Sequence, residues 1–182
     1  MAASNGNVRV NKSTHIGEVL IDIQPVVCWD NTEGSCKLFF MKKANWSYLA
    51  GFLDGDGSIY VQIKPNETYR FRFQIATMVA FFQSKKEQRK IKELKNLFKI
   101  GYLRERNDGV IEWVIGREKE IKHILQKTLP FLRLKKKQAM LTLLILEKKK
   151  KMERKKDFIE LVKLIDKFRN LNYSKRRKKI IY

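Results

Sequence analysis

From Asn45 onward the apolar positions recur with a period that switches between helix and strand. Trp46, Leu49, Phe52 and Leu53 stand three or four apart, which predicts a helix over 45–56. Gly57 is placed to end it as a left-handed C-terminal cap. The period then drops to two. Ile59, Val61 and Ile63 alternate with Tyr60, Gln62 and Lys64, the mark of a half-buried strand. Pro65-Asn66-Glu67-Thr68 has turn chemistry. A second strand follows, with Phe71, Phe73 and Ile75 on one face and Arg70, Arg72 and Gln74 on the other. Ser84 with Glu87 is a capping-box pattern opening a second helix, whose apolar side is Ile91, Leu94, Leu97 and Phe98. Gly101 leads into a third strand, where Tyr102, Arg104 and Arg106 share a face. Asn107-Asp108-Gly109 is a hairpin signal, and 110–115 is the return strand. Three helices close the chain, over 118–126, 136–147 and 157–171, with a run of four lysines, 148–151, between the last two. The order predicts an α+β domain with helices on one face of an antiparallel sheet.

The first forty residues differ from the rest. They show short apolar patches without a sustained period, and both cysteines, Cys28 and Cys36, lie there. Their charges are Arg9, Lys12 and Lys37 against Glu18, Asp22, Asp30 and Glu33, a net of −1, so +22 of the chain's +21 falls on the remainder. We therefore read 1–43 as a loosely ordered extension with room for a short strand or helix, 44–172 as the folded domain and 173–182 as a basic tail. Met41 offers an internal start.

An excess this large, in a 182-residue chain that is 43% hydrophobic, indicates a folded domain with a polyanionic partner, nucleic acid ahead of an anionic membrane. No apolar run approaches the roughly 18 residues of a membrane span, so no membrane partner is expected. Two cysteines and two histidines, His15 and His123, leave too few ligands for a structural zinc site. The strand alternation adds detail. Tyr60, Gln62, Lys64, Arg70, Arg72, Gln74, Tyr102, Arg104 and Arg106 point away from the apolar faces, with few acids among them. Alone, such a face is ordinarily a solvated one. With the charge excess it suits duplex DNA, because a two-stranded ribbon enters the major groove and Arg and Gln bond base edges two-pronged.

The segment Leu49-Ala50-Gly51-Phe52-Leu53-Asp54-Gly55-Asp56-Gly57 breaks local rules. Glycine costs ~1 kcal/mol inside a helix, yet Gly51 and Gly55 stand at i and i+4 beside Ala50, leaving a nearly bare face on which two backbones can approach. Asp54 and Asp56 fall at the helix C-terminus, where anions are disfavoured and a divalent cation would relieve them. A mere turn is the bland alternative. A calcium loop from Asp54 fails, since Ile59 stands at its sixth place and Pro65 at its twelfth. An aspartic-protease site would need a second motif and leaves the charge unexplained.

This nonapeptide resembles the signature of the LAGLIDADG homing endonucleases. The likeness runs over about 44–178 and points to their small, single-motif, homodimeric group. Ser58-Ile59-Tyr60-Val61-Gln62-Ile63-Lys64-Pro65-Asn66 and Tyr69-Arg70-Phe71 look like that group's DNA-reading hairpin, and Gly101-Tyr102-Leu103-Arg104-Glu105-Arg106 like its second. Pro130-Phe131-Leu132-Arg133-Leu134-Lys135-Lys136-Lys137-Gln138-Ala139 looks like its lysine-bearing loop. Leu171-Asn172-Tyr173-Ser174-Lys175-Arg176-Arg177-Lys178 is similar to its basic DNA contact. A small insertion surrounds Asn107-Asp108-Gly109.

The resemblance implies a saddle-shaped antiparallel sheet with helices on the opposite face and the nonapeptide helix at a two-fold dimer interface. That interface would use Leu49, Ala50, Gly51, Leu53, Asp54 and Gly55. It implies a catalytic Mg2+, replaceable by Mn2+, on Asp56 and the Gly55 carbonyl, with Gln83 and Lys135 completing the site. DNA contacts would come from Tyr60, Gln62, Lys64, Asn66, Thr68, Tyr69, Arg70, Arg72, Gln74, Tyr102, Arg104 and Arg106, and in the tail from Ser174, Lys175, Arg176, Arg177 and Lys178. The implied activity is a double-strand break in a long pseudo-palindromic DNA target that starts intron homing. The organelle implied is a plastid ahead of a mitochondrion. The competing reading is an intron RNA maturase, or a DNA-binding protein that does not cleave, on the same fold. Retention of Asp56, Gln83 and Lys135 together favours the enzyme, and the host intron RNA stays open as a further partner.

Overall fold

The computed structural model describes the backbone of residues 33–172 and the side chains of 43–172. The chain divides into two units, Met1–Leu38 and Phe39–Tyr182, and the fold below belongs to the second, apart from the first residues of α1. Its elements run α1 (Glu33–Asp56), β1 (Gly57–Pro65), β2 (Phe73–Ser84), α2 (Gln88–Phe98), β3 (Tyr102–Glu105), β4 (Val110–Ile115), α3 (Glu118–Thr128), α4 (Lys136–Lys150) and α5 (Lys155–Asn170). The sheet is antiparallel in the order β1-β2-β4-β3. Each hairpin pairs internally and the two meet through β2 and β4, so the predicted α+β class holds.

One face of the sheet is the core face. Ile59, Val61, Ile63, Ile75, Val79, Phe81, Ile111, Trp113 and Ile115 lie on it, fully or almost fully buried. They pack against Leu49 and Leu53 of α1, Ile91 of α2, Ile121, Ile124 and Leu125 of α3, Ile145 of α4, and Leu161, Ile165 and Phe168 of α5. Phe81 stacks on Trp113, whose indole N–H donates to the Ile100 carbonyl at 2.7 Å.

Three expectations change. Helix α1 begins at Glu33 rather than Asn45 and takes in 33–43; after Gly34 no proline or glycine interrupts the chain before Gly51, so nothing local stops the helix there. The rest of the proposed extension lies outside the described residues.

The second strand is displaced. It begins at Phe73 and runs to Ser84, whereas 66–72 is a loop in which Arg72 takes φ 58°. Asn66 N–H donates to the Arg72 carbonyl at 2.8 Å, and Arg72 N–H to that of Tyr69 at 2.7 Å. Arg70 and Arg72 are therefore loop residues and share no strand face with Gln74. At its other end β2 leads through a 3-10 turn, Lys85–Glu87, capped by Lys86 N–H donating to Ser84 Oγ at 3.3 Å, before α2 begins.

Gly57 is not left-handed; the positive-φ glycines among the described residues are Gly101 and Gly109. Its glycine has a different cause. A Cβ there would lie 2.7 Å from both the Leu53 Cα and the Leu53 carbonyl oxygen, closer than real contacts allow. Gly57 lets the strand leave the helix by doubling back over its last turn. Gly57→Ala is expected to cost about 1–3 kcal/mol by overpacking, read as a lowered Tm; an unchanged Tm would refute the close approach.

Candidate active site and nucleic-acid interface

The end of α1 delivers two carboxylates to different environments. Asp54 turns inward against the loop that precedes α4. Its Oδ2 accepts the backbone N–H groups of Arg133 at 2.6 Å and Leu134 at 3.1 Å, and its Oδ1 accepts that of Lys135 at 2.8 Å. The first N–H groups of a helix lack intrahelical partners, and α4 has no side-chain cap of its own. Of the three donors only Lys135, the N-cap residue, belongs to the helix end, so Asp54 fixes the loop entering α4 and sets an anion at its positive end from 80 residues away. A cation is thus not needed to relieve Asp54.

Lys135 closes the arrangement. Its Nζ donates to the Asp54 carbonyl oxygen at 2.6 Å, satisfying one of the orphan acceptors at the helix C-terminus. Its ammonium is partly withdrawn from water. Burial lowers its pKa, while the charges of Asp54 and Asp56 work in the opposite direction. The loop geometry therefore ties the lysine beside α1's last turn.

Asp56 is exposed, and its carboxylate makes no hydrogen bond or ion pair among the described residues. Gln83 comes from the far end of β2, where Gly57 pairs with Phe81. It faces the same cleft as Asp56, together with Tyr48, Gly51 and Phe52 of α1 and Glu87, Lys90 and Ile91. Its Oε1 accepts the Ser84 N–H at 3.0 Å, which leaves the amide nitrogen as a donor. The structure thus brings Asp56 together with Gln83 across the cleft, and with Lys135 through Asp54.

No group of three or more His, Cys, Asp or Glu side chains gathers as a metal site among the described residues. At the cleft Asp56 offers a carboxylate without a protein partner among the described residues, beside the carbonyls at the end of α1, while Glu87 is paired with Lys90. That set suits Mg2+, which keeps several waters and binds through one or two carboxylates plus substrate phosphates.

Gly51 and Gly55 are both exposed, and a Cβ on either would meet nothing within 4 Å. Leu49, Ala50 and Leu53 are instead fully buried in the protomer's own core. Of the six residues expected at an interface, the two glycines, not these three, form the bare surface.

The sheet's open face carries Tyr60, Gln62 and Lys64 on β1, paired in register with Met78, Ala76 and Gln74 of β2, and Tyr102 and Arg104 on β3. Tyr102 and Arg104 are exposed. Asn66 holds the hairpin tip, its Oδ1 accepting from Thr68 N–H at 3.1 Å and Thr68 Oγ1 at 2.7 Å. Tyr69, Arg70 and Arg72 are exposed in that tip, and Arg72 pairs with Glu67. The tail residues Ser174, Lys175, Arg176, Arg177 and Lys178 lie outside the described residues.

The sequence reading missed Glu112. It stands directly opposite Arg104 in the β3–β4 pair and is only 4% exposed. Arg104 grips it through two nitrogens, Nε at 2.7 Å, and Arg106 reaches it at 3.5 Å while also pairing with Asp108 at 2.7 Å. The guanidinium groups are thereby anchored and oriented. The available signal was the hairpin itself: once Asn107-Asp108-Gly109 sets the turn, an acid falls across from an arginine. Glu112→Gln is expected to loosen base preference beneath this hairpin, at about 1–3 kcal/mol per lost base contact, while non-specific affinity holds or rises. Binding to a panel of single-base variants checks this; an unchanged panel contradicts it.

A family model described as LAGLIDADG endonuclease matches residues 49–143. DNA endonuclease I-CreI of Chlamydomonas reinhardtii is 40% identical over 134 residues, 72% of this chain and 80% of that protein. DNA endonuclease I-CvuI of Chlorella vulgaris is 32% identical over 138 residues, 76% of this chain and 86% of that protein. A crystal structure of the homing endonuclease I-CvuI with the I-CreI target, in the presence of 2 mM Mg and with the DNA not cleaved, matches with TM-score 0.72 at 32% identity. That match covers 76% of this chain and 88% of the other.

Proposed function

Since the chain belongs to the LAGLIDADG endonuclease family, we propose that it is a site-specific DNA endonuclease working as a Mg2+-dependent homodimer. Its product is a double-strand break in a pseudo-palindromic target that starts intron homing. The observation that carries this reading is the exposed Asp56 carboxylate at the end of α1, beside a bare Gly51–Gly55 face, sharing a cleft with Gln83 and lying two residues past the Asp54 carbonyl that holds Lys135. One such acid per chain serves one strand. Two strands need two chains, and a two-fold protein matches a two-fold site.

The roles follow from chemistry. Asp56 and the Gly55 carbonyl would hold the metal, which when bound supplies Lewis-acid activation of water and of the phosphate oxygens. Mn2+, with similar oxygen preferences, would substitute. Lys135 places a positive charge where the scissile phosphate gains negative charge. Gln83, with its amide nitrogen free to donate, orders solvent at the cleft. The open sheet face and the hairpin tip lie along the DNA, Tyr60, Gln62, Lys64, Gln74, Tyr102, Arg104 and Arg106 toward the bases, Arg70 and Arg72 from the tip loop. We place the protein in an organelle, a plastid; its relatives' origin in the algae Chlamydomonas and Chlorella supports this.

Incubation with Mg2+ and DNA spanning the insertion junction of its host intron tests the activity. A double-strand break is expected; junction DNA left whole contradicts it. The dimer has its own test. A leucine at 51 or 55 meets no atom of its own protomer near Cβ, so the monomer fold is spared. Gly51→Leu or Gly55→Leu is expected to yield a folded monomer by light scattering, and an intact dimer would overturn the interface.

A further inference from the structure

The lysine run between the last two helices has no part in the site described so far. We propose that the turn joining α4 to α5 is an additional DNA-contact surface, gripping phosphates of the same duplex beyond the base pairs that the hairpins cover. This rests on the endonuclease reading above.

Lys150, Lys151, Arg154, Lys155 and Lys156 are all exposed. Their neighbours Lys148 and Lys149 pair with Glu160 and Glu118, but none of the five forms an ion pair among the described residues. Glu147 and Asp157 feel their charge. Asp157, however, is committed to the α5 N-terminus, accepting the backbone N–H groups of Glu153 at 3.2 Å and Arg154 at 2.8 Å. Lys155 and Lys156 open α5, at the positive end of the helix dipole, where cations are disfavoured. Asp157 in the same turn offsets part of that penalty, and a polyanion would offset the rest.

The position is defined by the packing. Phe158, two residues past Lys156, stacks on Phe71 and Phe73 at centroid distances of 5.1 and 5.9 Å. Lys149 Nζ donates to the Ile75 carbonyl at 2.9 Å. The turn is therefore fastened to the tip end of the β1–β2 hairpin. The Arg70 guanidinium lies over the Phe71 ring at 5.6 Å, joining the tip's charge to that of the turn. β1 has nine residues, so this end lies roughly 30 Å from Asp56. A duplex that runs from the active site along the open face leaves the protein past this point. The turn sits behind that end, on the core face that carries Phe73 and Ile75, so its cations meet the duplex only where it runs on past the hairpin tip, where backbone phosphates rather than base edges are in reach.

The experiment compares two duplexes carrying the target. One is trimmed to the base pairs the hairpins cover; the other extends about one helical turn, ~10 bp, at each end. Binding is measured against salt for the wild type and for the variant Lys151→Gln/Arg154→Gln/Lys155→Gln/Lys156→Gln. The wild type is expected to show a steeper log K against log salt on the long duplex, by about 0.9 per added phosphate contact. The variant is expected to show equal slopes on both, and replacing the same lysines by arginine to keep the wild-type difference. A variant that keeps that difference overturns the proposal. So does one whose loss appears on intron RNA alone, which would make the turn an RNA contact. Failure of the wild type to bind either duplex specifically refutes instead the endonuclease reading, and the outer contact with it.

Discussion

Asp56→Asn is expected to abolish cleavage and to leave specific DNA binding nearly intact. Asp56 is the exposed carboxylate of α1's last turn, and its neighbours are a lysine and a glutamine, neither of which replaces an anionic metal ligand. A carboxamide is a poor Mg2+ ligand. Loss of several kcal/mol of charge stabilisation is a fall of at least about 10³-fold in cleavage rate, taking 1.36 kcal/mol per factor of ten. Binding is expected to survive because, on the proposed reading, the open face and hairpin tip carry it from other elements. Single-turnover cleavage and a binding titration on the same target separate the two effects; a variant that cuts at near wild-type rate would sink the assignment.

Asp54→Ala is the second large effect, and of a different kind. Asp54 does not face the cleft. It fixes the loop 133–135 through three backbone hydrogen bonds, and its carbonyl receives Lys135 Nζ. Truncation keeps that carbonyl but frees the loop. Loss of an N-terminal helix cap costs about 0.5–2 kcal/mol of stability. The larger effect falls on the lysine, because a misplacement near 1 Å can cost about 10²-fold in rate. Cleavage is expected to drop about 10²-fold with affinity for the target little changed. Asp54→Asn keeps one acceptor oxygen and is expected to fall between wild type and alanine. If kcat holds while Tm falls, Asp54 is a structural cap alone.

The two aspartates show what a sequence reveals and what it hides. Both break the same local rule, anions at a helix C-terminus, and a cation seemed the common remedy. Asp54's remedy is instead a loop 80 residues away, and no periodicity announces a contact of that range. Lys135 and Gln83 are likewise unremarkable by composition; only the resemblance singled them out. Glu112 was nearer to hand, one residue across a hairpin.

For the fold, the period was a good guide wherever one face met water. β1, the β3–β4 hairpin and α2 through α5 all lie close to where alternation or helical spacing places them. It misled at β2. Apart from Thr77, residues 76–82 are apolar on both faces, with Ala80 buried on the open side, so the true strand shows little alternation. The loop before it, Arg70-Phe71-Arg72-Phe73, alternates without being a strand until its last residue. The start of α1 was hidden because the sequence before Asn45 shows no sustained apolar period.

The central claim is that two chains each bring one Asp56 to one strand of the same target. Mixed dimers of wild-type and Asp56→Asn subunits, purified through two different tags, test it directly on junction DNA with Mg2+. The account predicts a duplex nicked in one strand, always on the side of the wild-type subunit. Mixed dimers that cut both strands as wild type does, or neither, would contradict it.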